Sequence, residues 1–244
     1  MPFILPSVRP FMRPFMAALR QTVLDALFPL SEIEEGLMHL SPEQAFSVLP
    51  RAPVFEAPIP NVRAVFAYKD ERVAKLVWMI KYKKSATAAR IGAYALHRFL
   101  ASNIAAVDAN AAITSTTAIA ERPLIIVPIP ISPRRRRERG FNQCELLADG
   151  IKRLDASSHF VVKSDLLRRV HHGSRQTLKQ RIERLTSAVG IFSCDRESAA
   201  RLAGSKSKIV VIDDVITTGS TMTAALTTLE RAGFTDISGL SLAH

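Results

Sequence analysis

The 244-residue sequence predicts an α/β protein: a parallel sheet with helices on its faces. Three observations carry that expectation. Short apolar runs suited to strands alternate along the chain with stretches of three- and four-residue hydrophobic spacing, which is how strand–helix–strand units read. Two of the runs, 124–127 and 209–212, are apolar without interruption, as a strand covered on both faces requires. The composition, 48% hydrophobic and 23% charged, supplies enough apolar surface for a buried core and excludes disorder for most of the chain.

From the N-terminus, Met16, Leu19, Val23 and Leu27 form one stripe of an amphipathic helix over 15–28, ending before Pro29. It either docks on the main domain or serves as a membrane-surface or partner helix. Residues 41–60 hold Pro42, Pro50, Pro53, Pro58 and Pro60, which suppress helix and predict an extended connector. The chain thus divides into an N-terminal helical and Pro-rich extension, 1–60, and a main domain, 61–244.

The main domain opens with a strand over 62–68. Val73, Leu76, Val77 and Ile80 then have the spacing of a core-facing helix, which ends in Lys81, Lys83 and Lys84 around Tyr82. Those lysines are either solvated at the negative end of the helix dipole or directed at an anion. A helix over 87–103 buries Leu96, Phe99 and Leu100. The small residues of 105–120 read as a loop insertion or a frayed helix end. There follow a strand at 124–127, a helix over 142–154, a strand at 160–162, a helix over 178–185 and a strand at 209–212. A helix over 220–232, closed by Gly233 in a left-handed cap, leads to a last strand at 237–242.

Two cysteines, Cys144 and Cys194, provide neither a disulfide framework nor a four-cysteine zinc site, and point to a reducing, cytoplasmic setting. No apolar run approaches the roughly 20 residues that span a bilayer. The apolar N-terminal stretch is interrupted by Pro6, Arg9, Pro10, Arg13 and Pro14, so neither a signal peptide nor a transmembrane helix is expected. The net charge of +11 favours anionic partners: nucleic acid, anionic lipid or a phosphorylated small molecule.

The sharpest motif is IVVIDDVITTGST at 209–221. Ligands of open α/β sheets gather at the carboxyl ends of strands, where Asp213 and Asp214 are expected. Thr217, Thr218, Gly219, Ser220 and Thr221 bring hydroxyls and unpaired N–H groups to a helix N-terminus, an arrangement that holds an anion. Gly219 allows close backbone approach. A phosphate beside two carboxylates reads as a ribose 5-phosphate site, the acids accepting from the 2- and 3-hydroxyls. Magnesium, which prefers hard oxygen ligands, fits across the sugar hydroxyls and a pyrophosphate near Asp213 and Asp214. The GKS/T ending of a P-loop and the GxGxxG of a Rossmann turn are both missing.

A second constellation occupies 125–143, IIVPIPISPRRRRERGFNQ. A buried strand leads to the rigid turn Pro128, Ile129, Pro130, then to Arg134, Arg135, Arg136, Arg137 and Arg139, and to Gly140, Phe141, Asn142 and Gln143. Arginine forks bind phosphate bidentately, so this loop is a candidate grip on a leaving pyrophosphate. A run of arginines is also read as a solvated or nucleic-acid-binding face.

Together, VPIP, RERGFNQ and VVIDDVITTGST resemble the ComF family of type I phosphoribosyltransferase-like proteins, associated with bacterial competence and DNA uptake. The resemblance extends through LVWMIKYKK at 76–84, LLRR at 166–169, SRQTL at 174–178 and AGFTDISGLSLAH at the C-terminus, with LFP at 27–29 matching the end of the family's N-terminal helix. It implies a type I phosphoribosyltransferase-like sheet. Asp213 and Asp214 would meet ribose hydroxyls, 217–221 the 5-phosphate and 128–130 the pyrophosphate, with 134–143 a mobile hood. The ligand implied is phosphoribosyl pyrophosphate with Mg2+, and a nucleophile would attack the anomeric carbon as pyrophosphate leaves. Family members commonly carry a four-cysteine zinc finger after LFP; residues 31–60 contain no cysteine and only His39, so no zinc is expected here.

Two function classes follow: a Mg2+-dependent phosphoribosyltransferase, or a non-catalytic nucleotide-sensing or single-stranded-DNA-associated factor on the same fold. A DNA-uptake helicase and a second copy of the chain are the protein partners implied. His171 and His172 read as a surface turn, His97 as a packed residue and Trp78 as core or interface. Cys144 has no His at readable spacing to make it a catalytic thiol, and Arg175, Lys179, Arg181 and Arg184 form a cationic helical face.

Overall fold

The computed structural model describes residues 30–53, 61–111, 123–170, 190–202 and 207–244. The expected helices over 15–28 and 178–185, the His171–His172 pair and the basic set Arg175 to Arg184 lie outside these residues. In chain order the elements are α1 (Glu32–His39), α2 (Pro42–Val48), β1 (Val62–Phe66), α3 (Glu71–Trp78), a π-helical turn (Met79–Lys83) and α4 (Ala86–Ala111). Next come β2 (Leu124–Pro128), α5 (Pro133–Arg139), α6 (Gln143–Leu154), β3 (Phe160–Val162), β4 (Leu167–Arg169) and β5 (Phe192–Cys194). The chain continues with α7 (Arg196–Leu202), β6 (Ile209–Val215), α8 (Ser220–Arg231) and β7 (Ile237–Ala243).

Five strands form one parallel sheet in the order β1-β7-β6-β2-β3, and β4 pairs with β5 in a separate antiparallel ribbon. Side-chain alternation along β6 explains why the sheet needs cover on both sides. Val210 and Ile212 join one core, with Leu76, Ile91, Leu96 and Leu147 from the α3, α4 and α6 side. Ile209 and Val211 join the other, with Leu166, Phe192, Met222 and Leu229 from the ribbon and α8. The seven-residue β6 is longer than the four apolar residues suggest, so Asp213 and Asp214 belong to the strand itself.

Three segments depart from expectation. Residues 42–48 are helical, not extended, because a proline in the first turn needs no N–H acceptor and is already set to the helical φ. A capping box completes the start of α2: Gln44 N donates to Ser41 Oγ at 3.2 Å, and Ser41 N to Gln44 Oε1 at 2.8 Å. Ala45 of α2 and Leu49 after it are buried with Leu37 of α1 in the core shared with the sheet. The second departure is α5, seven residues of helix where a loop is expected, capped by Ser132 and ended by Gly140 at φ 80°. The third is α4, which runs on to Ala111 through residues read as an insertion or frayed end. Among the described residues no helix is long and apolar enough to cross a membrane.

Candidate functional site

β6 delivers its acids to the C-terminal edge of the sheet, flanked by β2 and β7. Asp213 and Asp214 are 8% and 4% exposed. Asp214 N donates to Asp213 Oδ1 at 2.9 Å, and Val215 N donates to Asp214 Oδ1 at 2.9 Å, so each carboxyl group is fixed by the next backbone amide. The pleat sends adjacent side chains to opposite faces. Asp213 accordingly meets Cys144 of α6, whose Sγ lies 3.4 Å from Asp213 Oδ1, whereas Asp214 Oδ2 meets Lys81 Nζ at 2.9 Å. Oxygen and sulfur atoms of Cys144, Asp213 and Asp214 nevertheless converge within 4.8 Å of one another.

Burial, reinforced by the neighbouring Asp214, pushes the Asp213 carboxyl up to about 7. Burial and the same two acids drive the Cys144 thiol well above its ordinary value, so it stays neutral and unreactive. The Asp213 shift has a stability consequence with a definite sign. A folded protein that retains a proton the unfolded chain has released loses stability as pH rises, here from about 4 to about 7, and gains none back above that. Asp213→Asn removes the penalty. We expect its melting temperature at pH 8 to exceed wild type by at least about 2–4 °C, the shift produced by ~1 kcal/mol in a chain of this size. The gain should shrink towards pH 5; thermal melts at the two pH values check it, and an equal shift at both contradicts the assignment.

Beyond β6 the chain turns through Thr217 and Thr218, both exposed, to Gly219 at φ 76°, the N-cap of α8. Thr218 Oγ1 lies 3.1 Å from Ser220 Oγ. Gly219 provides no capping side chain, so the first turn of α8 is capped only weakly, with Ser220 N donating to Thr218 Oγ1 at 3.5 Å. His244 Nδ1 and Ile216 O, 2.9 Å apart, tie the turn to the end of β7. Asp213 and residues 215–222 line a small cleft of about 30 Å³ here. The structure therefore joins Asp213 to 217–221, while Asp214 turns towards Lys81.

The arginine segment is pre-engaged in places. Arg134 Nε meets Glu138 at 2.7 Å and Arg136 Nη1 holds both oxygens of Glu145 at 2.8 and 2.9 Å. Arg139 Nη1 donates to Gln143 Oε1 at 3.0 Å, and its guanidinium stacks 5.0 Å from the Tyr82 ring centroid. Arg135 and Arg137 have no ion pair among the described residues. Asn142 caps α6, accepting from Cys144 N at 3.0 Å and donating to Ile129 O at 3.0 Å. Ile129 N donates to Ile212 O at 2.9 Å. Since Pro128 and Pro130 have no N–H, the 128–130 turn offers no free backbone donor to a phosphate and acts as a rigid spacer between the sheet and α5.

Three further side chains enter the site that the motifs alone do not assign. Lys81 is one. Cys144 under the acids is another. The third is Arg169 of β4, half-buried, whose guanidinium feels burial first, then the positive charge of Arg135 and the negative charge of Asp213. The signal for Lys81 is the lysine cluster at the end of the 73–80 helical pattern. The π-helical turn inserts an extra residue per turn there, a common device at functional sites, and ends in Lys84 at φ 50°.

The chain is 34% identical over 123 residues to competence protein ComFC of Bacillus subtilis, covering 50% of this chain and 45% of that protein. It is 30% identical over 126 residues to competence protein F of Haemophilus influenzae, covering 50% and 51%. With ComFC of Streptococcus pneumoniae it shares 35% identity over 116 residues, covering 48% and 46%. The matches span about half the length of these curated relatives. No family model matches the chain.

Proposed function

We propose, from its similarity over about half its length to ComFC and competence protein F, that this chain is a ComF-family protein that binds phosphoribosyl pyrophosphate with Mg2+ and serves DNA uptake in competence. The observation that carries the reading is Asp213, near the end of β6 with Asp214 buried next to it, lining one small cleft together with a hydroxyl-rich helix N-terminus. A purely phosphate-binding surface gains nothing from two buried carboxylates; a phosphorylated sugar uses both halves.

In this reading the N–H groups and hydroxyls of 217–221 hold the 5-phosphate, the acids accept from the ribose hydroxyls, and Arg135 and Arg169 attract the pyrophosphate. The hard oxygens of Asp213 and Asp214 suit magnesium held through the ligand and its waters, supplying charge neutralisation to the pyrophosphate. Lys81 already occupies Asp214 Oδ2, which favours that indirect arrangement. Closure of 134–143 over the ligand excludes water and strengthens the arginine–phosphate attraction. Transfer to an acceptor then needs positioning and charge stabilisation, with no nucleophilic side chain.

A second reading, single-stranded DNA binding without turnover, is favoured by an exposed aromatic and cationic strip. Trp78 and Tyr82 are 39% and 60% exposed with ring centroids 6.0 Å apart, and Lys75 and Lys83 lie over Trp78 at 5.1 and 5.5 Å.

Thermal shift of the full chain separates the readings. Phosphoribosyl pyrophosphate with Mg2+ at 100 times its Kd stabilises by about 2.7 kcal/mol, with ribose 5-phosphate and pyrophosphate each giving less. No shift with any of the three at millimolar concentration overturns the first reading. Replacing Arg134, Arg135, Arg136 and Arg137 by Ala should weaken both phosphoribosyl pyrophosphate and DNA at least about tenfold and flatten the salt dependence. Unchanged binding of both ligands would remove α5 from the site.

A further inference from the structure

Two buried carboxylates from opposite ends of the chain each hold one lysine of the π-helical turn. Lys81 Nζ contacts Asp214 Oδ2 at 2.9 Å, and Lys83 Nζ contacts Glu34 Oε1 at 3.3 Å. Neither oxygen has a directed hydrogen bond, so a lysine ammonium is what balances each. The other Glu34 oxygen accepts from Ser31 N at 2.7 Å in the capping box of α1, which fixes the carboxylate in place. The turn is thus pinned on one side to α1 and on the other to the acid pair.

We propose that Lys81 is a phosphate-binding residue of this site and that Glu34, through Lys83 and the π-helical turn, positions it; the inference rests on the reading of the site as one for a phosphoribosyl ligand. Two adjacent buried acids, Asp213 lining the cleft and Asp214 next to it, repel an anionic ligand unless a cation offsets them. Lys81, 20% exposed in its side chain against 6% for Asp214, sits at the rim of that buried pair with one of its three donors engaged. The remaining donors are available to a phosphate oxygen that comes to lie beside Asp214. A side chain with four rotatable carbons needs a fixed base to deliver its charge there, and the Glu34–Lys83 contact provides it.

Calorimetry with Mg2+-pyrophosphate, which lacks the ribose hydroxyls, isolates the phosphate role. The expected result is that D214N/K81M binds at least about tenfold more weakly than D214N, with a salt slope lower by about one charge. Removing both partners leaves no unpaired buried charge, so the double variant should fold; K81Q in the otherwise wild-type chain, titrated with phosphoribosyl pyrophosphate and Mg2+, is the second variant and should lose a similar factor. E34Q retains the capping box, and should weaken binding roughly three- to tenfold in the D214N chain, where Lys81 is present, and not at all in the D214N/K81M background. A merely structural Glu34 would give the same loss in both backgrounds, which overturns its positioning role. Equal affinity and equal salt slope for D214N/K81M and D214N, with K81Q like wild type, overturn the assignment of Lys81. If the wild type binds phosphoribosyl pyrophosphate and these variants are silent, this inference alone falls; if the wild type binds neither ligand, the site reading falls with it.

Discussion

Asp213→Asn combined with Asp214→Asn reduces affinity for phosphoribosyl pyrophosphate in Mg2+ by at least about 100-fold, the loss of two hydrogen bonds to charged groups. Salt-dependent binding of single-stranded DNA should stay unchanged or strengthen, because the substitutions remove negative charge from a chain of net charge +11. The effect on the sugar is large because an amide retains one acceptor and loses the charge that two ribose hydroxyls select. The fold should survive. The backbone amides of Asp214 and Val215, which donate to the two carboxylates in the wild type, can donate instead to the carbonyl oxygens of the substituted side chains. The penalty of burying the first acid is relieved at the same time. Parallel titrations of both ligands, with thermal melts as the control on folding, check this. A variant that loses DNA and sugar ligand together would show that the acids hold up the structure and not a specific subsite.

Gly150→Val is expected to produce the largest loss of stability among the substitutions considered. α4 and α6 cross at a contact so close that a Cβ on Gly150 would lie 2.5 Å from Ala93 Cβ. The neighbouring contact is tight as well: a Cβ on Gly92 would meet Leu147 Cδ2 at 2.8 Å and Leu242 Cδ2 at 3.0 Å. Neither helix has room to yield, since Ala93, Leu147 and Ile151 are all buried, the last two in the core shared with the sheet. Overpacking of this kind costs roughly 2–3 kcal/mol, which lowers the melting temperature of a chain this size by about 5–10 °C. Because α6 carries Cys144 beneath Asp213 and begins at the Asn142 cap, ligand affinity should fall too. Gly36→Ala, where an added Cβ meets nothing within 4 Å, is the control and should leave the melting temperature within about 1–2 °C of wild type. Equal behaviour of the two variants would contradict the packing account.

Much of this architecture was legible because strand and helix periods differ. Ile209 to Ile212 reads as a doubly covered strand, and it is the centre of a parallel sheet with Val210 and Ile212 on one face and Ile209 and Val211 on the other. Val73, Leu76 and Val77 are buried where the helical spacing puts them. Gly233 adopts the left-handed conformation expected after α8. The failures have local causes. Five prolines over 41–60 suggest an extended connector, but Pro42 stands at the one helical position that tolerates it, after a Ser with a Gln three residues on. Ser132, Pro133 and Gly140 carry a matching start and stop for α5, which the arginine run between them obscures.

The site was legible in part for a similar reason. Motifs contiguous in sequence, Asp213 with 217–221, share one strand end and lie together around the cleft. Lys81 reaches Asp214 from 133 positions earlier in the chain, across a π-helical turn that no periodicity announces. Arg169 arrives on a three-residue strand too short to give a pattern. The division of labour between adjacent acids, one against a thiol and one against a lysine, follows from the pleat and becomes visible only once both faces of β6 are known.

The most direct test of the phosphoribosyl site is a calorimetric titration of the full wild-type chain with phosphoribosyl pyrophosphate in the presence and absence of Mg2+. The expected result is saturable binding of one ligand per chain that tightens with Mg2+ and weakens when ribose 5-phosphate competes. Absence of binding at millimolar ligand, with single-stranded DNA still bound in a salt-dependent manner, would contradict such a site and make the strip of Trp78 and Tyr82 the functional surface.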